Sequence, residues 1–179
     1  MNTTTKIDLL DHLNCRVQRH LDIAVSKFQN MDESTLLKPS STGGWSIAQC
    51  LDHLSSYGDF YLPEIEKALK SSEGSPQEKF RSGWLGGYFA KMMEPSDKKY
   101  PALKGHIPPD NLDPYAVVVK FISHQEDLLK YLQLASHANL NFRVPTSISS
   151  LIKLKLGDVL QFLIAHNERH IQQALRNLQ

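Results

Sequence analysis

Apolar residues recur in four stretches of the chain at three- and four-residue steps, the spacing of one face of an α-helix. The first stretch predicts a helix from about Lys6 to Phe28, with Leu10, Leu13, Val17, Leu21, Ala24 and Phe28 as its stripe. A polar stretch from Asn30 to Ser41 follows, holding Pro39, and Gly43-Gly44 punctuates the chain. The second helix carries its own start signal: Ser46 and Gln49 match a capping box, with Trp45 placed to pack back on the helix. Its stripe is Ile47, Leu51, Leu54, Gly58, Tyr61 and Ile65. Pro63 inside this pattern predicts a kink or a break into two helices, and the helix fades over Ser71-Ser72-Glu73-Gly74.

A third helix is expected from Pro114, a residue suited to a first helical position, with Val118, Phe121, Ile122, Leu128, Leu129 and Leu132 as its apolar face. The segment from His137 to Thr146 is polar, and the residues before Pro145 favour extended backbone. The last helix is expected from about Leu156 to Leu178, with Leu156, Leu160, Leu163, Ala174 and Leu178 on one face. Four long amphipathic helices with almost no alternating apolar segments indicate an all-α four-helix bundle, a single domain over residues 1–179. Between the second and third helices lies a long irregular insertion, Ser75 to Asp113, interrupted by Pro76, Pro95, Pro101, Pro108 and Pro109. A short helix is expected there around Gly87 to Met93. Its aromatic content (Phe80, Trp84, Tyr88, Phe89) predicts a segment packed on the bundle. Trp84, Tyr88 and Phe89 either cover the pocket or fill the core beside it.

Composition narrows the classes. Hydrophobic residues make up 41% and charged residues 22%, which fits a globular chain and not a disordered one. A formal net charge of +1 provides no basic field for nucleic acid, so no nucleic-acid partner is expected. No apolar run reaches the ~20 residues of a membrane span, and the Met1–Lys6 start does not resemble a secretory leader. Two cysteines, Cys15 and Cys50, make no disulfide framework; both are expected as small buried residues, in a cytoplasmic protein.

The chemistry lies in the histidines. His166 and His170 stand four apart on the last helix, which offsets them by only ~40° around the axis and ~6 Å along it, so both imidazoles can reach one ion. They fall on the edge of the apolar stripe. His53 lies on the flank of the second helix's stripe, and if those helices are neighbours the three rings converge. Three neutral nitrogen ligands leave coordination positions open for water or substrate, as in catalytic zinc sites, and nickel also suits such donors. The alternative is a set of part-buried histidines satisfied by hydrogen bonds. Gln173 continues the same edge and can hydrogen-bond the site. Asn167, near the centre of the stripe, needs a polar partner. This is not the metalloprotease motif, since Asn167 follows the first histidine, and Glu168 projects elsewhere and reads as a solvated surface residue. His124 is a candidate fourth ligand or proton shuttle, Cys50 a candidate soft ligand but more simply a core residue. His12, His20, His106 and His137 have no evident partner.

Two motifs resemble those of a known family. Gly44-Trp45-Ser46-Ile47-Ala48-Gln49-Cys50-Leu51-Asp52-His53-Leu54 looks like the second-helix signature of the DinB-like superfamily, and Leu156-Gly157-Asp158 with His166-Asn167-Glu168-Arg169-His170-Ile171-Gln172-Gln173 resembles its final helix. Gly83-Trp84-Leu85-Gly86-Gly87-Tyr88-Phe89 is similar to a loop in one subgroup. The resemblance implies up-down-down-up topology, a divalent metal on His53, His166 and His170, and a homodimer. It also implies a metal-dependent enzyme acting on a small molecule. The family includes metal hydrolases and S-transferases that use low-molecular-weight thiols. Metal-activated attack by water, hydrolase-like, is ranked first. Thiol transfer and a non-enzymatic small-ligand or metal-binding bundle stay open, and no catalytic residue beyond the ligands is assigned.

Overall fold

Four long helices wrap a core of leucine, isoleucine and aromatic side chains, as the periodicity predicts. The computed structural model describes residues 3–41, 43–72, 77–96, 98 and 100–179. In chain order the elements begin with strand β1 (Thr3–Thr5), helix α1 (Lys6–Ile23), a π-helical turn (Ala24–Phe28) and helix α2 (Glu33–Leu37). Helix α3 (Ile47–Ser71), strand β2 (Lys79–Arg81), helix α4 (Trp84–Met93) and a 3-10 turn (Lys104–His106) follow. Helix α5 (Pro114–Ala135), strands β3 (Arg143–Pro145) and β4 (Lys153–Lys155), and helix α6 (Leu156–Arg176) complete the chain. The long helices are α1, α3, α5 and α6. α3 and α1 each pack on α5 and α6, and α4 lies on α6.

The starts of the helices follow their capping chemistry. Ser46 Oγ accepts the Gln49 N–H at 3.1 Å and Gln49 Oε1 accepts the Ser46 N–H at 3.0 Å, the expected capping box. Asp113 accepts from the N–H groups of Tyr115 and Ala116 ahead of α5, whose first residue is Pro114. The stripe of α3 is buried throughout, with Ile47, Leu51 and Ile65 fully inaccessible.

Several expectations are corrected. Pro63 does not split the second helix: α3 is continuous from Ile47 to Ser71. Pro63 itself is exposed, while its neighbours Tyr61, Leu62 and Ile65 are buried in one core and hold both sides of it in place. The polar stretch after the first helix contains α2, capped by Asp32, whose carboxylate accepts the Thr35 N–H. The residues before Pro145 are extended as expected, forming β3, which pairs antiparallel with β4, and a further short pair, β1 with β2, joins the bundle. Each strand is three residues long, too short to show alternation. The short helix of the insertion begins at Trp84, earlier than expected. Leu178 is 41% exposed, beyond the end of α6, and Cys15 is exposed on the polar side of α1. Glu73-Gly74, where the second helix was expected to fade, lie outside the described residues, as do Ser75 and Pro76 of the insertion and Met1 and Asn2.

Leu156-Gly157-Asp158 anchors the insertion to the bundle. Phe80 of β2 is buried against α6, and a Cβ on Gly157 would meet its ring at 2.6–2.7 Å. Asp158, 1% exposed, accepts the Gly83 N–H at 3.0 Å, just ahead of α4. Its carboxyl group fills the space a Cβ on Gly86 would need, at 2.3–2.5 Å. Glycine at 86 and 157 is therefore a requirement of close approach and not of backbone conformation.

Candidate metal centre

α3 and α6 bring His53, His166 and His170 together. Their ring centroids are 4.6 Å (His53–His170), 4.7 Å (His166–His170) and 5.0 Å (His53–His166) apart. One ring nitrogen from each lies within 4.8 Å of the others. His53 Nε2 and His166 Nε2 are 3.1 Å apart, near the ~3.3 Å that two ~2.0 Å bonds at a tetrahedral angle would give.

The outer partners fix which nitrogen faces inward. His53 Nδ1 donates to the backbone carbonyl oxygen of His106 at 2.6 Å, and His170 Nδ1 donates to Gln173 Oε1 at 2.9 Å. Each neutral ring therefore turns an Nε2 lone pair toward the cluster. His166 Nδ1 is buried with no hydrogen-bond partner. With its proton on Nε2, His166 donates to His53. With the proton on Nδ1, two Nε2 lone pairs face each other and a cation between them satisfies both. The donor set thus fits a metal that accepts imidazole nitrogen.

Burial keeps the trio neutral. It pushes His53 down to about 4 and His170 down to about 3, and holds His166 well below the usual histidine range. The neighbouring rings supply much of that burial. Trp45, whose carbonyl accepts from Asn177 at 2.8 Å, sits 4.7 Å from His53 and 5.7 Å from His170. Tyr57 lies 4.5 Å from His166 and 5.1 Å from His53.

Periodicity gave no hint of His106, which stands on a 3-10 turn inside the insertion. Besides offering its carbonyl to His53, its ring stacks on Tyr57 at 3.9 Å and its Nδ1 is 2.9 Å from Ser56 Oγ. Ser56 Oγ donates in turn to the carbonyl of His53 at 2.7 Å. Only the histidine itself was a signal; a loop residue has no helical register from which to place it.

The remaining candidates are not part of the cluster. His124 Nε2 is 3.5 Å from Asp59, and its ring fills the space over Gly58. Cys50 is buried, its thiol pushed up to about 12 by desolvation, and behaves as a core residue. Asn167 finds its partner on α5, donating to buried Gln125 Oε1 at 3.2 Å. Glu168 is not a solvated surface residue. It accepts from His20 Nε2 at 2.8 Å beside Arg16 and Arg19, and this bond holds its carboxyl down to about 2. Trp84 and Tyr88, 74% and 61% exposed, do not fill the core, and neither lines the apolar cavity that Phe89 lines. Phe89 is the member of that trio that packs against the core.

Two buried imidazoles and one half-buried imidazole, converging from two helices, give this helical bundle a donor group of the kind that suits a metal ion. The DinB superfamily model matches residues 16–174, and the chain belongs to the DinB superfamily. Among solved structures it is similar to one described as "YfiT from Bacillus subtilis is a probable metal-dependent hydrolase with an unusual four-helix bundle topology". The identity is 15%, the match covers 96% of this chain and 83% of that one, and the TM-score is 0.50. At that identity the likeness concerns the fold. No curated protein matches. No helix among the described residues is long and apolar enough to cross a membrane.

Proposed function

We propose that this chain is a metal-dependent enzyme of hydrolase type, with a divalent ion held by His53, His166 and His170. The observation that carries the reading is the grouping of the trio: one ring nitrogen of each lies within 4.8 Å of the others, and His106 and Gln173 each occupy an Nδ1, leaving the Nε2 lone pairs of His53 and His170 free. Zinc or nickel suits an all-imidazole set. Bound there, such an ion supplies the acidity that turns water or a thiol into a nucleophile near neutral pH. The chain's own residues hold the ligands unprotonated, orient them through fixed outer partners, and exclude bulk water with Trp45 and Tyr57.

One observation favours a second reading, S-transfer with a low-molecular-weight thiol. No carboxylate joins the three histidines among the described residues, and Glu168 is engaged by His20. A thiol ionises more readily than water and has less need of a general base. Metal analysis of tag-free protein supplied with zinc or nickel tests the site, with one equivalent per chain expected. Uptake below about a tenth of an equivalent removes both readings. Rates on neutral esters with and without added thiol then separate water from thiol as the nucleophile.

A further inference from the structure

A cavity of about 210 Å³ shares two aromatic side chains with the surroundings of the histidine site, and no charged side chain or histidine is among the described residues that line it. Tyr57 and Phe162 belong both to its wall and to the surroundings of the site. Tyr57 packs on His53 and His166, and Phe162 stacks on His166 at 5.9 Å. Met92 and Met93, at the end of α4, add flexible, polarisable surface that adapts to an apolar guest. Leu103 and Ile148, 40% and 53% exposed, also line it, at its solvent-facing side.

The polar atoms of this wall are neutral hydroxyls, and those of Tyr61 and Thr146 are already engaged. Tyr61 Oη accepts the Ser147 N–H at 3.2 Å, and Thr146 Oγ1 donates to the Ser149 carbonyl at 3.1 Å. A charged guest would lose its hydration here and find no counter-ion. The volume exceeds the ~150 Å³ of a dry cavity that takes up benzene, so a ring with a few further carbons fits.

We propose that this cavity receives an uncharged apolar part of the substrate, an aromatic ring or a short aliphatic chain, with the reacting group directed past Tyr57 and Phe162 toward the histidines. The direction of the reacting group rests on the hydrolase reading above; occupancy of the cavity does not.

The test uses full-length protein freed of metal by chelation, with folding checked by circular dichroism. 1-Naphthylamine, neutral at pH 7, is titrated by fluorescence, then displaced by 2-naphthylmethanol or by 2-naphthoate. The expected result is saturable binding, with the carboxylate competing at least about tenfold less well than the alcohol, because its charge is desolvated without a partner. Leu103→Glu weakens the probe by about tenfold or more for the same reason, and Leu103→Met does not. Leu103 is partly exposed, so both variants are expected to fold. Absence of saturable binding, equal competition by the two naphthalenes, or unchanged binding by Leu103→Glu overturns the proposal. Metal uptake is measured separately. Probe binding without uptake keeps the cavity assignment and removes the metal reading; uptake without probe binding does the reverse.

Discussion

The Nδ1 of His53 lies 2.6 Å from the carbonyl oxygen of His106, residues 53 positions apart in the chain. A carbonyl only accepts, so the bond fixes the tautomer of His53 and aims its Nε2 into the cluster. The insertion thus contributes to the site without supplying one of the three ring nitrogens.

Outer-partner substitutions are expected to weaken metal binding without abolishing it. Gln173→Ala removes the acceptor for His170 Nδ1, and a loss of roughly 10–100-fold in affinity is expected from a chelator competition titration. His170→Ala should cost more than Gln173→Ala. Equal affinities for wild type and Gln173→Ala would show that His170 is not oriented by this bond.

Glu168→Gln separates a structural carboxylate from a general base. Glu168 holds His20 at 2.8 Å, so its neutralisation is expected to lower stability by about 1–2 kcal/mol in urea denaturation. Metal uptake should persist, and any kcat should fall by much less than the ~100-fold or more expected for loss of a general base. A large fall in kcat with unchanged stability would reverse the assignment.

Gly157→Ala is expected to destabilise, although alanine favours a helix interior by about 1 kcal/mol. The new Cβ would meet the buried Phe80 ring at 2.6–2.7 Å, and overpacking of this kind costs about 1–3 kcal/mol. Thermal denaturation should show a lower Tm. A raised Tm would mean that Phe80 yields freely.

The metal-free protein should lose stability as pH falls from 6.5 toward about 4. Burial depresses His53 from 6.5 to about 4 and His170 from 6.5 to about 3. Above 6.5 neither the folded nor the unfolded chain protonates these rings, and their contribution is whole. Below it the unfolded chain takes up protons that the folded chain does not, at about 1.4 kcal/mol per pH unit for each ring. Urea midpoints measured near pH 7.5 and near pH 5.5 should differ accordingly, and coincident midpoints would contradict the burial of the trio.

The long helices were readable because one face of each lies against the core, and burial leaves a 3.6-residue imprint in the order of Leu10, Leu13 and Val17 or of Leu156, Leu160 and Leu163. His166 and His170 were readable as neighbours for the same reason. Their meeting with His53 required knowing which helices adjoin, and helical periodicity does not encode that. The roles of His106, Glu168 and Trp84 were not legible. Their positions depend on loop paths and on the ion pairs of α1, which carry no repeating pattern.

Asp158, Phe162, His166 and His170 follow one another at four-residue intervals along α6, a single slowly turning ridge. The anchor of the insertion, a wall of the apolar cavity and two ring nitrogens therefore lie along one ridge, each ~40° further round than the last. One residue inserted between Phe162 and His166 would rotate everything downstream by ~100°. It would turn His166 and His170 away from His53 while leaving Asp158 beneath α4, so any relative that keeps this chemistry has to keep that stretch of helix at constant length.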